Sequence, residues 1–221
     1  MFGLRSFVRQ TPRWTQFRSV STLEGNPHIY VFPQNGAHVL SLLPSEPTNP
    51  NLALGVTSKL PPTPDSFREN PAFLKVLQDV VTEHGHEDPD AISQAQVMIS
   101  TAGANLNSGG VLLAGGRVRR RRGERDDSSG GASGQGGVGS AGRGGWIHLS
   151  DSRRPPDFGR IAWPEDIFGS LEVDANGSFV GGNGNYQSSG TYRIVTRDGI
   201  FGLSPFLREK LVQRLRQQEA Q

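Results

Sequence analysis

Cysteine is missing from the 221-residue sequence, which excludes disulfide bonds, thiolate-held iron–sulfur clusters and cysteine-ligated zinc sites. No run of apolar residues approaches the roughly 18 residues that a membrane-spanning helix needs, so no transmembrane helix is expected. Acidic residues are missing from the first 23 positions, and the first carboxylate in the chain is that of Glu24. The length suits one domain or two small ones.

The first 23 residues are basic and rich in hydroxyl groups. Arginines stand at positions 5, 9, 13 and 18 among six serine or threonine residues, with aromatic side chains interspersed. An arginine- and serine-rich leader without acids is typical of a mitochondrial transit peptide. We predict a transit peptide over residues 1–22, cut near residues 19–22 after Arg18, and a mature protein in the mitochondrial matrix or on the matrix side of the inner membrane. The alternatives are a disordered basic tail and a helix that lies on a membrane surface.

A second basic segment interrupts the rest of the chain. Residues 103–145 hold 15 of the 29 glycines, with seven arginines and three acids. Such a composition cannot bury enough apolar surface to offset the entropy cost of ordering, so a disordered Gly/Arg/Ser-rich insert is predicted. Outside the leader and this insert the chain carries 12 basic and 18 acidic residues. The folded body is therefore expected to be acidic, without the broad basic face of a nucleic-acid-binding domain.

Residues 26–102 form the first of two parts predicted to be ordered. Asn35-Gly36 between two strand-like runs predicts a β-hairpin, and residues 52–57 predict a third short strand. Asn70 as N-cap, Pro71 in the first turn and Gly85 as the terminating residue predict a helix. A weaker helix is predicted after Asp90; its apolar side would carry Ala91, Ile92, Ala95, Met98 and Ile99.

Residues 146–221 form the second part. Strands are predicted near 146–149, 170–174 and 191–196, with a loop at 164–169 and a turn at 175–177 that leads into 178–180. Ser204 and Pro205 predict the start of a C-terminal helix. Its buried stripe would comprise Leu207, Leu211, Val212 and Leu215.

Clustered strands with grouped helices indicate an α+β fold rather than alternating βαβ units. We predict small antiparallel sheets with hairpins, packed by two or three helices and interrupted by the insert. Each ordered part alone is marginal in size for an independent core. One domain that combines 26–102 with 146–221 is therefore favoured over two domains on a linker.

Aromatic and arginine side chains are concentrated in residues 146–206. These residue types on turn-rich segments suit a surface that binds a partner protein. The alternative is that they form a small mixed core. The partner-binding candidates are Trp146, Arg160, Trp163, Glu165, Asp166, Phe168, Tyr186, Tyr192 and Arg193.

The arginine run of the insert suggests RNA binding, because guanidinium groups pair with phosphates and stack on bases. The candidates are Arg117, Arg119, Arg120, Arg121 and Arg122. The alternative is a solvated low-complexity segment, since no phenylalanine or tyrosine is interleaved.

Signals of catalysis or metal binding are weak. His84, His86, Glu87 and Asp88 group metal-ligand types, but no further cluster supplies the remaining ligands unless His28, His38 or His148 folds nearby. Glu165 and Asp166 could serve acid–base catalysis, yet adjacent carboxylates in an extended chain point apart, and a turn or cap role is favoured. We predict no catalytic residue, no metal and no cofactor.

Three blocks carry a resemblance to known proteins: PPTPDSFRENPAFL at 61–74, WPEDIFGS at 163–170, and GNYQ with GTYR at 184–193. With the leader, they resemble a group of uncharacterised mitochondrial proteins of filamentous fungi. The resemblance covers most of the chain outside the insert. It implies a mitochondrial location but no established activity.

These observations together favour a protein that acts by binding. We expect a non-catalytic accessory or assembly factor, or a peripheral subunit, of a mitochondrial protein complex. An RNA- or mitoribosome-associated protein that uses the insert is the alternative, and an enzyme of unrecognised type is the third.

Overall fold

The computed structural model describes residues 21–45, 49–99, 144–156 and 160–220. The predicted transit peptide lies outside these residues except for its last two positions. The predicted insert lies outside them except for Gly144 and Gly145, so its predicted disorder and its five RNA-binding candidates also fall outside the described residues.

Helices and antiparallel sheets are both present, which confirms the α+β prediction. The strands are β1 (Ser21–Leu23), β2 (Asn26–Gln34), β3 (Ala37–Ser41), β4 (Gly55–Thr57), β5 (Phe67–Glu69), β6 (Gly145–Ser150), β7 (Ile167–Val173), β8 (Gln187–Ser188), β9 (Val195–Thr196) and β10 (Gly199–Ile200). The α-helices are α1 (Pro71–His84), α2 (Pro89–Ile99) and α3 (Pro205–Glu219), and 3₁₀ turns cover Gly85–Glu87 and Pro164–Asp166. The strands form sheets in the orders β1-β2-β3-β4-β5, β6-β7-β8 and β10-β9.

The hairpin predicted at Asn35-Gly36 is confirmed. Both residues have positive φ, 50° and 80°, and they join β2 to β3 directly after the pair Gln34↔Ala37. A two-residue turn of this hand matches the twist of the flanking strands. The register places Val31 opposite Leu40, and both side chains are buried.

Strand β1 begins inside the range predicted for the leader. Ser21 pairs with Val31 and Thr22 with Tyr30, and the register shifts between Thr22 and Leu23. The Leu23 side chain is 5% exposed and belongs to the main core cluster. The edge of the first sheet therefore includes residues that the sequence assigned to the transit peptide.

Helix α1 begins as predicted. The Oδ1 atom of Asn70 accepts a hydrogen bond from the amide of Ala72, while its Nδ2 donates to the carbonyl of Ala53 at 2.7 Å. The cap thus also fixes the helix to the preceding loop. The buried stripe comprises Phe73, Val76, Leu77, Val80 and Val81.

Gly85 does not end α1 in the left-handed conformation that terminating glycines favour. Its φ is −59°, and the chain continues directly into the 3₁₀ turn Gly85–Glu87. A β-carbon at this position would lie 2.7 Å from Cδ1 of Leu149 on β6. Glycine is therefore used for close packing between α1 and the second sheet rather than for its φ.

Helix α2 differs from the prediction in its start and in one face. It begins at Pro89, because Asp88 acts as its cap and accepts from the amide of Asp90 at 3.1 Å. Ala91 and Ala95 are buried as predicted, but Ile92 is 40% exposed. Two alanines one turn apart allow α2 to lie close to β6, and the bulkier Ile92 falls outside that contact.

The second part of the chain departs from the predicted boundaries in two places. Strand β7 begins at Ile167, so it takes up half of the loop predicted at 164–169. Only Val195 and Thr196 of the strand predicted at 191–196 pair with β10. The turn at 175–177 is confirmed, because Asp174 Oδ1 accepts from the amides of Asn176 and Ser178, both at 2.8 Å.

The C-terminal helix is confirmed with its cap. Ser204 Oγ accepts from the amide of Leu207 at 3.1 Å. Leu207, Leu211 and Leu215 are buried, and α3 packs against α1. No helix in the described part of the chain is both long enough and apolar enough to span a membrane.

One cluster of buried side chains includes residues from before and from after the predicted insert. It extends from Leu23 in β1 to Leu215 in α3. Phe73 and Phe201 meet edge to face, with ring centroids 5.9 Å apart. A hydrogen bond of 2.7 Å joins the hydroxyl of Tyr186 to Oε1 of Gln78 on α1. The ranges 21–99 and 144–220 therefore share contacts of both apolar and polar kinds.

The packing of β1 predicts a difference between two substitutions. Leu23→Ala removes a buried side chain and leaves a cavity, so it should lower the free energy of unfolding by about 2–4 kcal/mol. Ile92→Ala removes a side chain that is 40% exposed and should cost less than about 1 kcal/mol. Urea denaturation of the two variants measures both values. Equal losses would contradict the burial of Leu23.

Candidate functional site

A cluster of buried charged side chains lies within residues 151–202, and an arginine is at its centre. The Arg153 side chain is 3% exposed and lies between Asp151 and Asp166, whose side chains are 0% and 2% exposed. Its Nη2 lies 2.9 Å from Oδ2 of Asp151, and its Nε lies 3.0 Å from Oδ1 of Asp166. The second contact is purely ionic, because Nε and Oδ1 are not aligned for a hydrogen bond. Removing the arginine would leave two buried carboxylates without their cation.

The guanidinium group also binds three backbone carbonyls. Nη1 donates to Ile194 at 3.1 Å and to Gly199 at 3.2 Å, and Nη2 donates to Arg193 at 2.6 Å. Because the guanidinium is planar and always charged, it can hold several acceptors in fixed directions. Arg153 therefore ties the segment 193–199 to the carboxylates at 151 and 166.

Asp151 is saturated by donors from the protein itself. Its Oδ1 accepts from the amides of Arg153 and Gly202, at 2.8 and 2.7 Å. Its Oδ2 accepts from the hydroxyl of Tyr192 at 2.8 Å. The Tyr192 ring lies under the guanidinium, 5.5 Å from its carbon to the ring centroid, and packs on Phe168 at 4.5 Å.

Burial sets the pKa directions in this cluster. Desolvation raises the pKa of Asp151 and of Asp166, and the Arg153 charge opposes the rise in both. Desolvation also raises the pKa of the Tyr192 hydroxyl well above its ordinary value, with the Asp151 charge adding to the effect. Tyr192 therefore stays protonated and remains a hydrogen-bond donor to Asp151.

The 3₁₀ turn beside this cluster presents a tryptophan to solvent. Trp163 is 62% exposed, and Ile161 is 46% exposed. All four carbonyls from 163 to 166 accept hydrogen bonds. The donors are the amide of Asp166 to Trp163 (2.8 Å), Oγ1 of Thr191 to Pro164 (2.8 Å), the amide of Arg193 to Glu165 (3.1 Å) and the amide of Asp151 to Asp166 (2.7 Å). Three of the four donors lie outside the turn, at Thr191, Arg193 and Asp151. They fix the backbone of the turn, while the tryptophan side chain stays exposed.

The nine partner-binding candidates differ in their exposure to solvent. Arg160, Trp163, Glu165 and Arg193 are exposed, and all except Arg160 belong to the turn or to its hydrogen-bond partners. Trp146 and Tyr186 are half-buried. Trp146 lies at the far end of β6 from Asp151, about 16 Å along the strand, and pairs with Glu172 on β7.

Asp166, Phe168 and Tyr192 do not lie on the surface. They are 1%, 1% and 7% exposed, so none of them can contact a partner in the folded protein. Asp166 pairs with Arg153, while Phe168 and Tyr192 pack on each other. For these three residues the alternative drawn from the sequence, a mixed core, is the one that the structure supports.

Asp151 and Arg153 are not among the nine partner-binding candidates predicted from the sequence, although both lie in residues 146–206. Arg153 is followed by Arg154, whose side chain is 55% exposed and pairs with Asp198. Nothing in the local sequence distinguishes the buried arginine from its exposed neighbour. Their difference arises from the partners of Arg153 that lie 13 to 46 positions further along the chain, from Asp166 to Gly199.

A cleft of about 320 Å³ lies next to the cluster. Asp88, Asp151 and Ser204 contribute to its lining. Their polar atoms are already engaged, because Asp88 Oδ2 accepts from the hydroxyl of Ser204 at 2.7 Å and Asp151 is saturated. Among the described residues no group of three or more His, Cys, Asp or Glu side chains could hold a metal ion.

Three of the five histidines contact other side chains: His84, His86 and His148. His84 Nδ1 lies 3.0 Å from Oε2 of Glu87, and this contact lowers the pKa of the Glu87 carboxyl. The His86 ring meets Phe179 edge-on at 6.3 Å. His148 on β6 bonds the hydroxyl of Ser170 on β7 through Nδ1, at 2.8 Å.

Comparison with protein-family models, with curated proteins and with solved structures finds no match for this chain.

Two neighbouring arginines provide a matched test of the buried cluster. Arg153→Leu leaves two buried carboxylates without a cation and should lower the free energy of unfolding by about 3–5 kcal/mol. Arg154→Leu removes a solvent-exposed ion pair and should cost less than about 1 kcal/mol. Chemical denaturation at neutral pH measures both. Similar losses for the two variants would show that Arg153 is not a buried partner of Asp151 and Asp166.

The half-buried His148 predicts a pH effect. Burial lowers its pKa below the ordinary 6.5, so the folded protein disfavours the charged form. The corresponding stability is complete above pH 6.5 and is lost as the pH falls below it. We expect His148→Gln to cost less stability at about pH 5.5 than at about pH 7.5. Thermal melts of both proteins at both pH values measure this difference, and a constant cost would contradict it.

Proposed function

We propose that this protein is a non-catalytic mitochondrial accessory or assembly factor, or a peripheral subunit, that binds a partner protein through the surface around Trp163. The observation that carries the proposal is a tryptophan that is 62% exposed on a turn whose four carbonyls are all hydrogen-bonded. We call this surface the Trp163 turn; it comprises residues 160–165 and Arg193.

An exposed tryptophan on a fixed turn suits protein binding for energetic reasons. Tryptophan and arginine are enriched among the few residues that dominate the affinity of protein interfaces. A tryptophan side chain can bury on the order of 200 Å² in one contact. Because the backbone of the turn is already ordered, little conformational entropy remains to be lost when a partner binds.

The residues next to Trp163 fit the same role. Ile161 adds a second exposed apolar side chain, and the Arg193 side chain is 65% exposed while lying 3.7 Å from Glu69. An apolar centre with charged groups at its rim is the usual arrangement of a protein interface. Isolated exposed apolar residues are common, but here Trp163 stands at the start of a hydrogen-bonded turn, and Ile161 lies two residues before it. Arg160 precedes Ile161, and the amide of Arg193 is bonded to the carbonyl of Glu165.

The different positions of the Glu165 and Asp166 carboxylates favour a role in binding over a role in catalysis. Asp166 is buried against Arg153, whereas Glu165 is exposed. The two groups therefore do not face a common space in which an acid and a base could act on one substrate. Asp88 and Asp151 at the neighbouring cleft are occupied by donors from the protein itself.

The mitochondrial part of the proposal rests on the leader. Its four arginines, its hydroxyl residues and its lack of acids match the composition of import signals, and the resemblance to mitochondrial proteins of filamentous fungi agrees with it. The RNA-associated alternative depends on the arginines of the insert, which lie outside the described residues.

The proposal is tested by capture of partners from intact mitochondria after brief crosslinking. Trp163→Ala should reduce the captured partner by about tenfold or more, the loss expected for a residue that dominates an interface. Val97→Ala, which also truncates an exposed apolar residue, is the control and should leave capture unchanged. Thermal melts should show that both variants are folded.

Two results would contradict the proposal. Equal capture by the wild type and Trp163→Ala would show that the Trp163 turn is not the contact. Loss of all captured protein after ribonuclease treatment would favour the RNA-associated alternative.

A further inference from the structure

Helix α3 and strand β2 border an open groove of about 980 Å³, which we call the α3 groove. Its lining combines helix residues with strand residues, among them Arg208, Val212, Arg216, His28 and Tyr30. We infer that the α3 groove binds an extended acidic segment of a partner protein, with two carboxylates four residues apart and an apolar side chain midway between them. The groove shares no residue with the Trp163 turn, so the inference does not depend on the proposed function.

The helix presents a regular row of side chains to the groove. Arg208, Val212 and Arg216 line it at intervals of about one turn. Because a helix rises about 1.5 Å per residue, the two arginines stand about 12 Å apart along its axis. Arg208 and Val212 are half-buried, and Arg216 is exposed. The groove therefore offers a cation, an apolar side chain and a second cation in sequence.

Both arginines of this row are available to an anion from outside the chain. Within the described residues neither Arg208 nor Arg216 has an ion-pair partner, whereas Arg214 on the same helix pairs with Glu83. A guanidinium group can bind a carboxylate through two parallel hydrogen bonds, which fixes both the position and the direction of the acid. Two such groups on one helix therefore select a ligand by the spacing of its acids.

An extended peptide matches the spacing of this row. Its residues rise about 3.3 Å each and alternate between two faces. Side chains at positions i, i+2 and i+4 therefore share one face and span about 13 Å. Carboxylates at i and i+4 match Arg208 and Arg216, and an apolar side chain at i+2 matches Val212. The rings of His28 and Tyr30, which also line the groove, add contact area for such a segment.

The charges around the groove favour a peptide over a nucleic acid. Glu209 is also part of the lining, and the chain outside the leader and the predicted insert carries 12 basic and 18 acidic residues. A nucleic-acid strand has a phosphate on every nucleotide, so this excess of acids would repel it. A peptide with two carboxylates can place both against arginines and an uncharged residue beside Glu209.

Two synthetic peptides of identical composition test the spacing. The peptide SEAVAES, acetylated and amidated, has its glutamates at i and i+4 with valine midway. Its isomer SEAVEAS has them at i and i+3, on opposite faces of an extended chain. In NMR titrations of the full-length protein at low salt, the first peptide should shift the amides of residues 208–217 saturably. The isomer should bind about tenfold more weakly, because one carboxylate loses its guanidinium partner.

Three charge variants of α3 test the pairing itself. Arg216→Gln should weaken binding of SEAVAES about fivefold or more. Arg214→Gln is the matched control, because it removes the same charge from the same helix outside the groove lining, and it should change binding less than about twofold. Glu209→Gln should strengthen binding about twofold, because it removes an opposing charge at an exposed site. Amide spectra of each variant show whether the fold is retained.

Several results would overturn the inference. They are the absence of a saturable shift in the α3 groove, equal binding of the two isomers by the wild-type protein, and equal weakening by Arg216→Gln and Arg214→Gln. A uridine oligonucleotide that binds more tightly than SEAVAES and shifts the same amides would assign the groove to a nucleic acid. None of these results bears on whether the Trp163 turn binds a protein.

Discussion

The ion cluster around Arg153 is the constraint on which the geometry of the second half of the chain depends. One guanidinium group contacts two buried carboxylates and three backbone carbonyls. Buried charges of this kind do not add much net stability compared with apolar packing, because their desolvation is costly. They are intolerant of misplacement, however, since each charge is stable only when its partner is in position. The cluster therefore specifies one arrangement of segments that have little regular secondary structure of their own.

This arrangement connects the interior to the surface. Asp166 closes the 3₁₀ turn, and its own carbonyl accepts from the amide of Asp151. Trp163 lies directly before this turn, and its side chain is exposed rather than packed in the core. Arg153 is thus a positioning residue for a surface that it does not reach. Tyr192 and Phe168 pack on each other, and the Tyr192 hydroxyl donates to Asp151, so two residues expected on the binding surface lie in the interior beside the ion cluster.

Local signals predicted much of the fold. The hairpin at Asn35-Gly36 and the caps at Asn70 and Ser204 depend on residues next to one another, and all three are confirmed. Predictions failed where distant contacts decide. Ile92 has the spacing of a core residue, yet two alanines fix the approach of α2 to β6. Gly85 has the position of a helix terminator, yet its backbone is right-handed and its role is close packing against Leu149.

The candidate site was predictable in part for the same reason. Trp163 was among the candidates because aromatic and arginine side chains are concentrated in the turn-rich residues 146–206. Tyr192 and Arg193 are adjacent and were treated alike, but neighbouring residues of an extended chain face opposite sides, and only Arg193 is exposed. Arg153 and Arg154 cannot be told apart by composition, because their partners come from other parts of the chain.

Native-state hydrogen exchange measures whether Arg153 and its carboxylates fix the Trp163 turn and the segments bonded to it. If Arg153 and its carboxylates hold the Trp163 turn in one conformation, the amides of Asp166, Arg193 and Gly202 should exchange as slowly as that of Leu77 in α1, through global unfolding. Exchange of these three amides orders of magnitude faster than that of Leu77, with the fold intact, would show that these segments open without global unfolding and that Arg153 does not fix them.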